Sequence, residues 1–234
     1  MLALWVIPRT SDSTKSSRFF MSDNENPKSQ IKSRQRVAQH GEVFTNPREV
    51  NAMLDLVRDE SYRLDSRFLE PACGDGNFLI EILRRKLSLL QDVKSPTDWE
   101  FRSLIAVGSC YGIELLEDNA AICRQRLLAE VIAQKGGEGC SSGYTESLRY
   151  MLQKNIVCGD ALTYRTADGR PITFSEWTPI AGSMQFARRD FQFDFLVNQT
   201  HQYSLFDEQG EAQSFDEPIK SYPPVHYSQL FTQA

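Results

Sequence analysis

One stretch constrains the fold more than any other: Arg67–Leu87, which reads RFLEPACGDGNFLIEILRRKL. It predicts a short apolar strand ending at Glu70, a tight glycine turn and a long helix, because apolar residues recur at helical spacing from Phe78 onward. Gly74 and Gly76 carry no Cβ, so we expect both to leave room for a ligand against the backbone. A strand, a glycine turn and a helix in this order direct unpaired backbone N–H groups at a bound nucleotide.

The same turn distinguishes between nucleotide cofactors. The dinucleotide fingerprint requires a third glycine where this chain has Leu79, which disfavours a nicotinamide or flavin cofactor. An acidic residue, a proline and G-x-G instead resemble the first motif of S-adenosylmethionine-dependent methyltransferases. The longer string EPACGDGNFL resembles the adenine-specific DNA methyltransferases of restriction–modification systems. This resemblance implies that S-adenosylmethionine is the cofactor and that it is contacted by Glu70, Pro71, Ala72, Gly74 and Gly76. The alternative for a bare G-D-G is an ordinary loop.

A second motif precedes the strand, in the string GEVFTNP at residues 41–47. Thr45 or Asn46 can cap a helix, and Pro47 suits its first turn. The string resembles the G-x-x-x-T-P motif of the same methyltransferases, which implies that Phe44 and Thr45 lie under the methionine half of the cofactor. The match departs from the family at Asn46, which separates the threonine from the proline. An ordinary capped helix is the alternative.

Acidic residues also follow the next two predicted strands. Glu114 ends the strand Cys110–Ile113, and Asp160 follows the strand Asn155–Cys158. An acidic residue at the end of the second strand suits bidentate acceptance from ribose hydroxyls. The strings YGIELLEDNAAICRQRL and NIVCGDAL resemble the second and third motifs of the family, so the resemblance implies that Asp160 accepts from the adenine amine of the cofactor. A capped turn is the alternative for Asp160.

The family pattern breaks after a fourth predicted strand, Phe193–Val197. In the family such a strand ends in Asn, Asp or Ser followed by two prolines and an aromatic residue, which hold the amine of a flipped base. Asn198 stands at the strand end, but Gln199-Thr200-His201 replace the rigid turn. Asn198 is therefore the one catalytic residue that the resemblance carries over.

Composition limits the remaining classes of function. A chain of 234 residues with 41% hydrophobic residues suits one domain with its own core. The net charge of −5 argues against nucleic-acid binding by the whole surface, although a local basic face is compatible with it. Five cysteines without a C-x-x-C pair indicate free thiols in a reducing compartment, and no metal site is predicted. No apolar run approaches the roughly 18 residues of a membrane span, so we expect a cytoplasmic protein.

We predict an α/β fold, a Rossmann-like methyltransferase sheet with helices on both faces. We expect the sheet to be incomplete at its C-terminal side, because the residues after Asn198 are too few for three further strands and a recognition region. The predicted units are a disordered N-terminal arm over 1–35, a cofactor-binding domain over 36–198 and an irregular tail over 199–234. Met21, which precedes the polar string SDNENPKSQ, is an alternative start to Met1. Tyr222-Pro223-Pro224 is predicted to be an extended surface segment.

The resemblance implies a site-specific methyltransferase that transfers a methyl group from S-adenosylmethionine to the exocyclic amine of adenine in DNA. The alternative is a catalytically inactive cofactor-binding subunit, or a truncated remnant, that acts with a partner chain. DNA is the expected partner, bound weakly by this chain alone, and a partner subunit would supply target recognition or the remaining strands. Methylation of RNA or protein stays open, because the substrate-reading residues are not recognisable.

Overall fold

The computed structural model describes residues 3–7, 17–20, 45–135, 139–194 and 218–233. Within these residues the strands are β1 Ala3–Ile7, β2 Ser17–Phe20, β3 Arg67–Glu70, β4 Cys110–Glu114, β5 Ile156–Cys158, β6 Thr173–Pro179, β7 Gln185–Gln192 and β8 Lys220–His226. The α-helices are α1 Pro47–Asp55, α2 Arg58–Ser61, α3 Asn77–Leu87, α4 Pro96–Gly108, α5 Glu117–Gln134 and α6 Ser142–Asn155. Two 3-10 helices cover Ser88–Leu90 and Tyr227–Thr232.

The main sheet has the strand order β2-β1-β3-β4-β5 in the part of the chain that the structure describes. Strands β3, β4 and β5 are parallel, with Phe68 opposite Cys110 and Gly112 opposite Ile156. Each parallel pair is connected through helices, as the alternation of strand and helix patterns predicts. The α/β class and the parallel strands are therefore confirmed, and the carboxyl ends of β3, β4 and β5 share one edge.

The two faces of the parallel strands are covered differently. One face packs against the helices, in a core that includes Phe68, Leu79 and Leu127. The other face carries Leu69, Tyr111 and Ile113, and its buried cover consists of Ile172, Phe174 and Phe193. The prediction of helices on both faces is wrong for the described residues. The chain turns back after β5 and lays strand β6 on this face, where the Tyr111 hydroxyl donates to the Ser175 carbonyl at 3.0 Å.

The N-terminal segment contributes two strands. β1 pairs antiparallel with β3, placing Trp5 opposite Leu69, and β2 pairs antiparallel with β1. The prediction of a disordered arm over 1–35 is wrong for these two segments. Pairing with β1 gives the backbone groups on the second edge of β3 their hydrogen bonds, which a buried strand requires. Both strands precede Met21, the alternative start.

The C-terminal segment is also ordered where it is described. β6, β7 and β8 form an antiparallel sheet. Phe186 pairs with Val225 and Arg188 with Tyr222, so Pro223 and Pro224 face a single residue of β7 in a bulge. The prediction of an irregular tail is wrong for 218–233, because β8 finds its partner in a strand far away in sequence. The reading of the two prolines as extended and exposed is confirmed.

The prediction of a fourth strand over Phe193–Val197 is wrong at its first two residues, which are the ones that the structure describes. β7 ends at Gln192, and Phe193 and Asp194 begin a helical turn. The remainder of that prediction, with Asn198, lies outside the described residues. The five cysteines are free thiols, as predicted. Among the described helices, none combines the length and the apolar character that crossing a membrane requires.

Candidate functional site

Three acidic residues lie at the carboxyl edge of the parallel strands. Glu70 ends β3 and Glu114 ends β4, while Asp160 follows β5 after one glycine. The register places Glu70 opposite Gly112 and Glu114 opposite Cys158, so the strand ends are adjacent. In open parallel sheets this edge is where ligands bind.

The glycine turn after β3 is open at its first glycine. Gly74 has a φ of +54°, and no described atom lies within 4 Å of the position that a Cβ would take. The Cys73 amide donates to the Ile113 carbonyl at 2.9 Å, and the Gly76 amide donates to the Cys73 carbonyl at 2.8 Å. The turn is thereby fixed to β4 while the surface beside Gly74 stays free, as expected from the sequence.

Gly76 serves a different purpose. Its φ is +94°, and a Cβ there would lie 2.7 Å from Cys123 Sγ on α5. The expectation that Gly76 leaves room for a ligand is wrong, because the thiol already occupies that space. The bare Cα instead allows α5 to approach the turn closely.

The carboxylate of Glu114 is held by donors on both oxygens. The Gly74 amide donates to Oε2 at 2.9 Å, and the Leu116 amide donates to Oε1 at 3.1 Å. The Asn119 amide group lies 3.4 Å from Oε1. The side chain is buried, so these bonds fix its orientation at the edge of the sheet. Oε2 accepts only the Gly74 bond among these and retains a further lone pair for a ligand.

Glu70 is the unsatisfied member of the site. Its side chain is 2% exposed, and Oε1 has no hydrogen-bond partner among the described residues. Burial raises the pKa of this carboxyl well above its usual range. A buried polar atom without a partner is unfavourable in a folded protein, and a ligand with a donor group would satisfy it.

The third strand end combines an acid with exposed apolar side chains. Asp160 Oδ1 accepts from the Leu162 amide at 2.8 Å, so the residue does cap its own turn. Leu162 is 88% exposed and Leu115, in the loop after β4, is 57% exposed. The Gly159 amide donates to the Glu114 carbonyl at 2.9 Å and joins the two loops. This edge therefore offers apolar surface beside acidic acceptors, which suits a flat ring with polar substituents.

Arg126 is a site residue that sequence reasoning missed. From α5 it donates to the Asp75 carbonyl at 2.7 Å, forms an ion pair with the Asp75 carboxylate at 2.7 Å and donates to Asn77 Oδ1 at 3.0 Å. From sequence alone, an arginine on an amphipathic helix is expected to be exposed to solvent. Its partners are 51 and 49 residues away in sequence, so no local pattern indicates the contact.

The upstream motif is described only in part. Asn46 caps α1 by accepting from the Arg48 amide at 2.9 Å, and half-buried Thr45 precedes it. Arg85 of α3 ties α1 to the core by donating to Asn51 Oδ1 at 2.8 Å. Pro71 and Ala72 lie in the turn after β3. Phe44, like Asn198, lies outside the described residues.

An open glycine turn between a strand and a helix, with acids near the ends of the next two strands, is the arrangement with which α/β proteins commonly bind nucleotide-type ligands. The chain matches the family described as MmeI, DNA-methyltransferase domain, over residues 45–190. Because this match covers more than half of the chain, the protein belongs to that family. The match starts at Thr45 and ends within β7, so it contains every strand-end acid of the site.

A curated relative agrees with the family. The adenine-specific methyltransferase PglX of Streptomyces coelicolor is 27% identical over 110 residues, which is 47% of this chain. The matched part is only 9% of the length of PglX. Together the two matches support the resemblance to adenine methyltransferases of restriction–modification systems. No solved structure matches the chain.

Proposed function

We propose that the chain binds S-adenosylmethionine at the carboxyl edge of β3, β4 and β5 and acts in adenine-specific DNA methylation of the restriction–modification type. The observation that carries the proposal is the combination at Gly74. The Gly74 backbone is open and its amide donates to a fixed carboxylate, Glu114. Four residues earlier, Oε1 of the buried Glu70 has no partner among the described residues. Membership of a DNA-methyltransferase family supports it.

The residues present suit this cofactor. Glu70 Oε1 can accept from a cationic or N–H group, since it lacks a partner within the described chain. Glu114 can accept from ribose hydroxyls without reorienting, because Gly74 and Leu116 already hold it. Asp160, beside exposed Leu162, can accept from the amine of an adenine. When bound, S-adenosylmethionine supplies an electrophilic methyl group on its sulfonium.

Methyl transfer would further need a group that holds the target amine. Asn198 is our candidate, because a side-chain carbonyl can accept from an exocyclic amine and orient its lone pair. The prolines that stiffen this turn in the family are replaced by Gln199 and Thr200, and the aromatic residue by His201. Accurate orientation accounts for roughly 7–11 kcal/mol of barrier lowering in favourable cases, and a looser turn forfeits part of it.

This substitution favours a second candidate, a cofactor-binding subunit that works with a partner chain. Such a chain would bind S-adenosylmethionine but transfer its methyl group poorly, or not at all, when alone. A partner would then supply the recognition of DNA, since base flipping costs a few kcal/mol that contacts to the target must offset.

Calorimetric titration with S-adenosylmethionine tests the first step. We expect the wild type to bind, and Glu114→Ala to weaken binding about tenfold or more, because a charge-assisted hydrogen bond contributes about 1.5–3 kcal/mol. Glu117→Ala, which removes an exposed carboxylate three residues later, is the matched control and should leave affinity unchanged. Absence of heat from a folded sample at millimolar cofactor would contradict the proposal. So would equally tight binding of NAD, because Leu79 replaces the third glycine of its fingerprint.

Tritium transfer to unmethylated genomic DNA separates the two candidates. We expect little label from the wild type and from Asn198→Ala. Transfer that appears only in Gln199→Pro/Thr200→Pro/His201→Tyr would identify the turn as the defect. Robust wild-type turnover that Asn198→Ala abolishes would favour the enzyme acting alone. If neither the wild type nor either variant transfers label, adding a candidate partner chain to the wild type is the next comparison.

A further inference from the structure

Helix α5 directs one side toward the ligand site. Asn119, Cys123 and Arg126 recur at a spacing of four and three residues, which places them on one face of a helix. Asn119 lies against the Glu114 carboxylate, and Cys123 fills the space beside Gly76. Arg126 completes this face with its contacts to Asp75 and Asn77. One face of α5 thus contacts both the Glu114 carboxylate and the glycine turn of the proposed cofactor site.

The contacts of Arg126 are suited to holding a backbone in place. One guanidinium nitrogen reaches both the main-chain and the side-chain oxygen of Asp75, while another reaches Asn77 Oδ1. The two partners lie on either side of Gly76. A planar guanidinium can make these bonds simultaneously, whereas an ammonium group acts as a single point charge.

The glycine turn needs such support. Gly74 and Gly76 both have positive φ, and glycine is the residue with the most conformational freedom to lose on folding. On one side the turn is held by the bond from the Gly74 amide to Glu114. On the other side it is held by Arg126.

From this geometry we infer that Arg126 is a positioning residue that fixes the glycine turn, and through it the Gly74–Glu114 bond, in the form that receives the cofactor. The part of this inference that concerns the cofactor rests on the function proposed above. Arg126 itself acts through Asp75 and Asn77 and is assigned no contact with substrate or cofactor.

The chain contains a matched control for this arginine. Arg84 of α3 donates to Glu130 of α5 at 2.8 Å, so this pair links the same helix to the helix that follows the glycine turn. Glu130 lies one helical turn beyond Arg126 on α5. Each pair joins an arginine to a carboxylate at a similar distance, but the Arg84–Glu130 pair includes no residue of the turn.

The first experiment measures amide hydrogen exchange by NMR in the protein without cofactor. We expect Arg126→Gln to accelerate exchange at Gly74 and Gly76 about fivefold or more, corresponding to about 1 kcal/mol of lost local stability. Arg84→Gln should leave both amides unchanged. Arg126→Lys keeps the positive charge but loses the planar guanidinium, so its exchange rates at Gly74 and Gly76 should lie between those of the wild type and Arg126→Gln.

The second experiment measures S-adenosylmethionine affinity of the same variants by calorimetry. Arg126→Gln should bind about fivefold more weakly and Arg126→Lys should recover part of the loss, with melting temperatures close to wild type. If the wild type binds no cofactor, the proposed function fails, and the exchange data still decide whether Arg126 fixes the turn. Unchanged exchange at Gly74 and Gly76 overturns the inference. Equal acceleration in Arg84→Gln also overturns it, as does selective acceleration with unaltered cofactor affinity.

Discussion

Two buried carboxyl groups illustrate how the two halves of the molecule differ. Asp190, in the antiparallel sheet, accepts from Arg188 on both oxygens at 2.8 and 2.7 Å, and from the Ser175 hydroxyl at 2.7 Å. Glu70, at the end of a parallel strand, is at least as buried, yet its Oε1 has no partner among the described residues. The two carboxyl groups are similarly buried. Both oxygens of Asp190 accept hydrogen bonds, whereas Oε1 of Glu70 accepts none from the described residues.

This difference separates a structural network from an incomplete site. The Arg188 guanidinium also reaches the Tyr150 hydroxyl and the Gln233 carbonyl, so it joins β7 to α6 and to the C-terminal segment. Every charge in that network is compensated within the chain, which is what folding requires. At Glu70, Oε1 has no partner within the described part of the chain, and a ligand can supply one. We therefore expect substitutions in the first network to affect stability and substitutions around Glu70 to affect binding.

The largest effect should follow from breaking the satisfied network. Arg188→Met leaves Asp190 buried without its cation, and removing one partner of a buried pair costs about 3–5 kcal/mol. Urea unfolding measures the loss. Arg170→Gln is the control, because Arg170 forms its ion pair with Asp168 at the surface and should cause no measurable change.

A second substitution makes this first prediction more specific. Arg188→Met/Asp190→Leu removes both charges and should regain part of the stability lost by Arg188→Met alone. A loss below about 1 kcal/mol for Arg188→Met would mean that water compensates Asp190, and the contrast with Glu70 would disappear.

An intermediate effect is expected where the site meets the packed core. Gly76→Ala combines a positive φ with a Cβ placed 2.7 Å from Cys123 Sγ, and we expect it to cost about 2–3 kcal/mol. Gly74→Ala also places a Cβ at a positive φ, +54°, but in open space, so about 1 kcal/mol is expected. Thermal unfolding compares the two variants. Cys123→Ala in the Gly76→Ala background should remove the clash, and equal costs for the two glycines would refute the packing role of Gly76.

Local patterns predicted the parts of the fold whose causes are local. The strand, turn and helix of Arg67–Leu87 follow from apolar spacing and two glycines within one short window. The ends of β4 and β5 were predicted for the same reason, and with them the positions of Glu114 and Asp160. The turn preceding β6 likewise has a local cause, because Gly169 has a φ of +80°, which glycine adopts readily.

The features that were missed depend on distant partners. β1 is a strand because β3 offers an unpaired edge, and β8 is a strand because β7 does. The sequence around Pro223 predicts an extended segment but does not indicate the strand with which it pairs. Arg126 belongs to the site only because α5 passes the glycine turn, and nothing in its own neighbourhood indicates that contact. Long-range pairing of this kind is invisible to reasoning from short windows.

The smallest effect, and the one of opposite sign, should come from Glu70→Gln. The raised pKa of the folded carboxyl means that the unfolded chain releases this proton first as pH rises. The free energy of unfolding of the wild type should therefore fall as pH rises above about 4.5, the ordinary range of a glutamate, until the folded carboxyl also ionises. An amide cannot ionise, so Glu70→Gln should unfold a few degrees higher than wild type at pH 8 and at the same temperature near pH 4.

At pH 8, the cofactor should reverse the order of the melting temperatures of wild type and Glu70→Gln. If Glu70 Oε1 awaits a donor from the ligand, saturating S-adenosylmethionine should raise the melting temperature of the wild type more than that of Glu70→Gln, because only the carboxylate gains a charge-assisted bond. Asp190→Asn provides the contrast: it should lower stability at pH 8 with and without cofactor by the same amount, since its partners are internal. A Glu70→Gln protein that is less stable than wild type without cofactor at pH 8 would show that Glu70 is already satisfied. In that case the two carboxyl groups would not differ, and Glu70 would need no ligand to complete its hydrogen bonds.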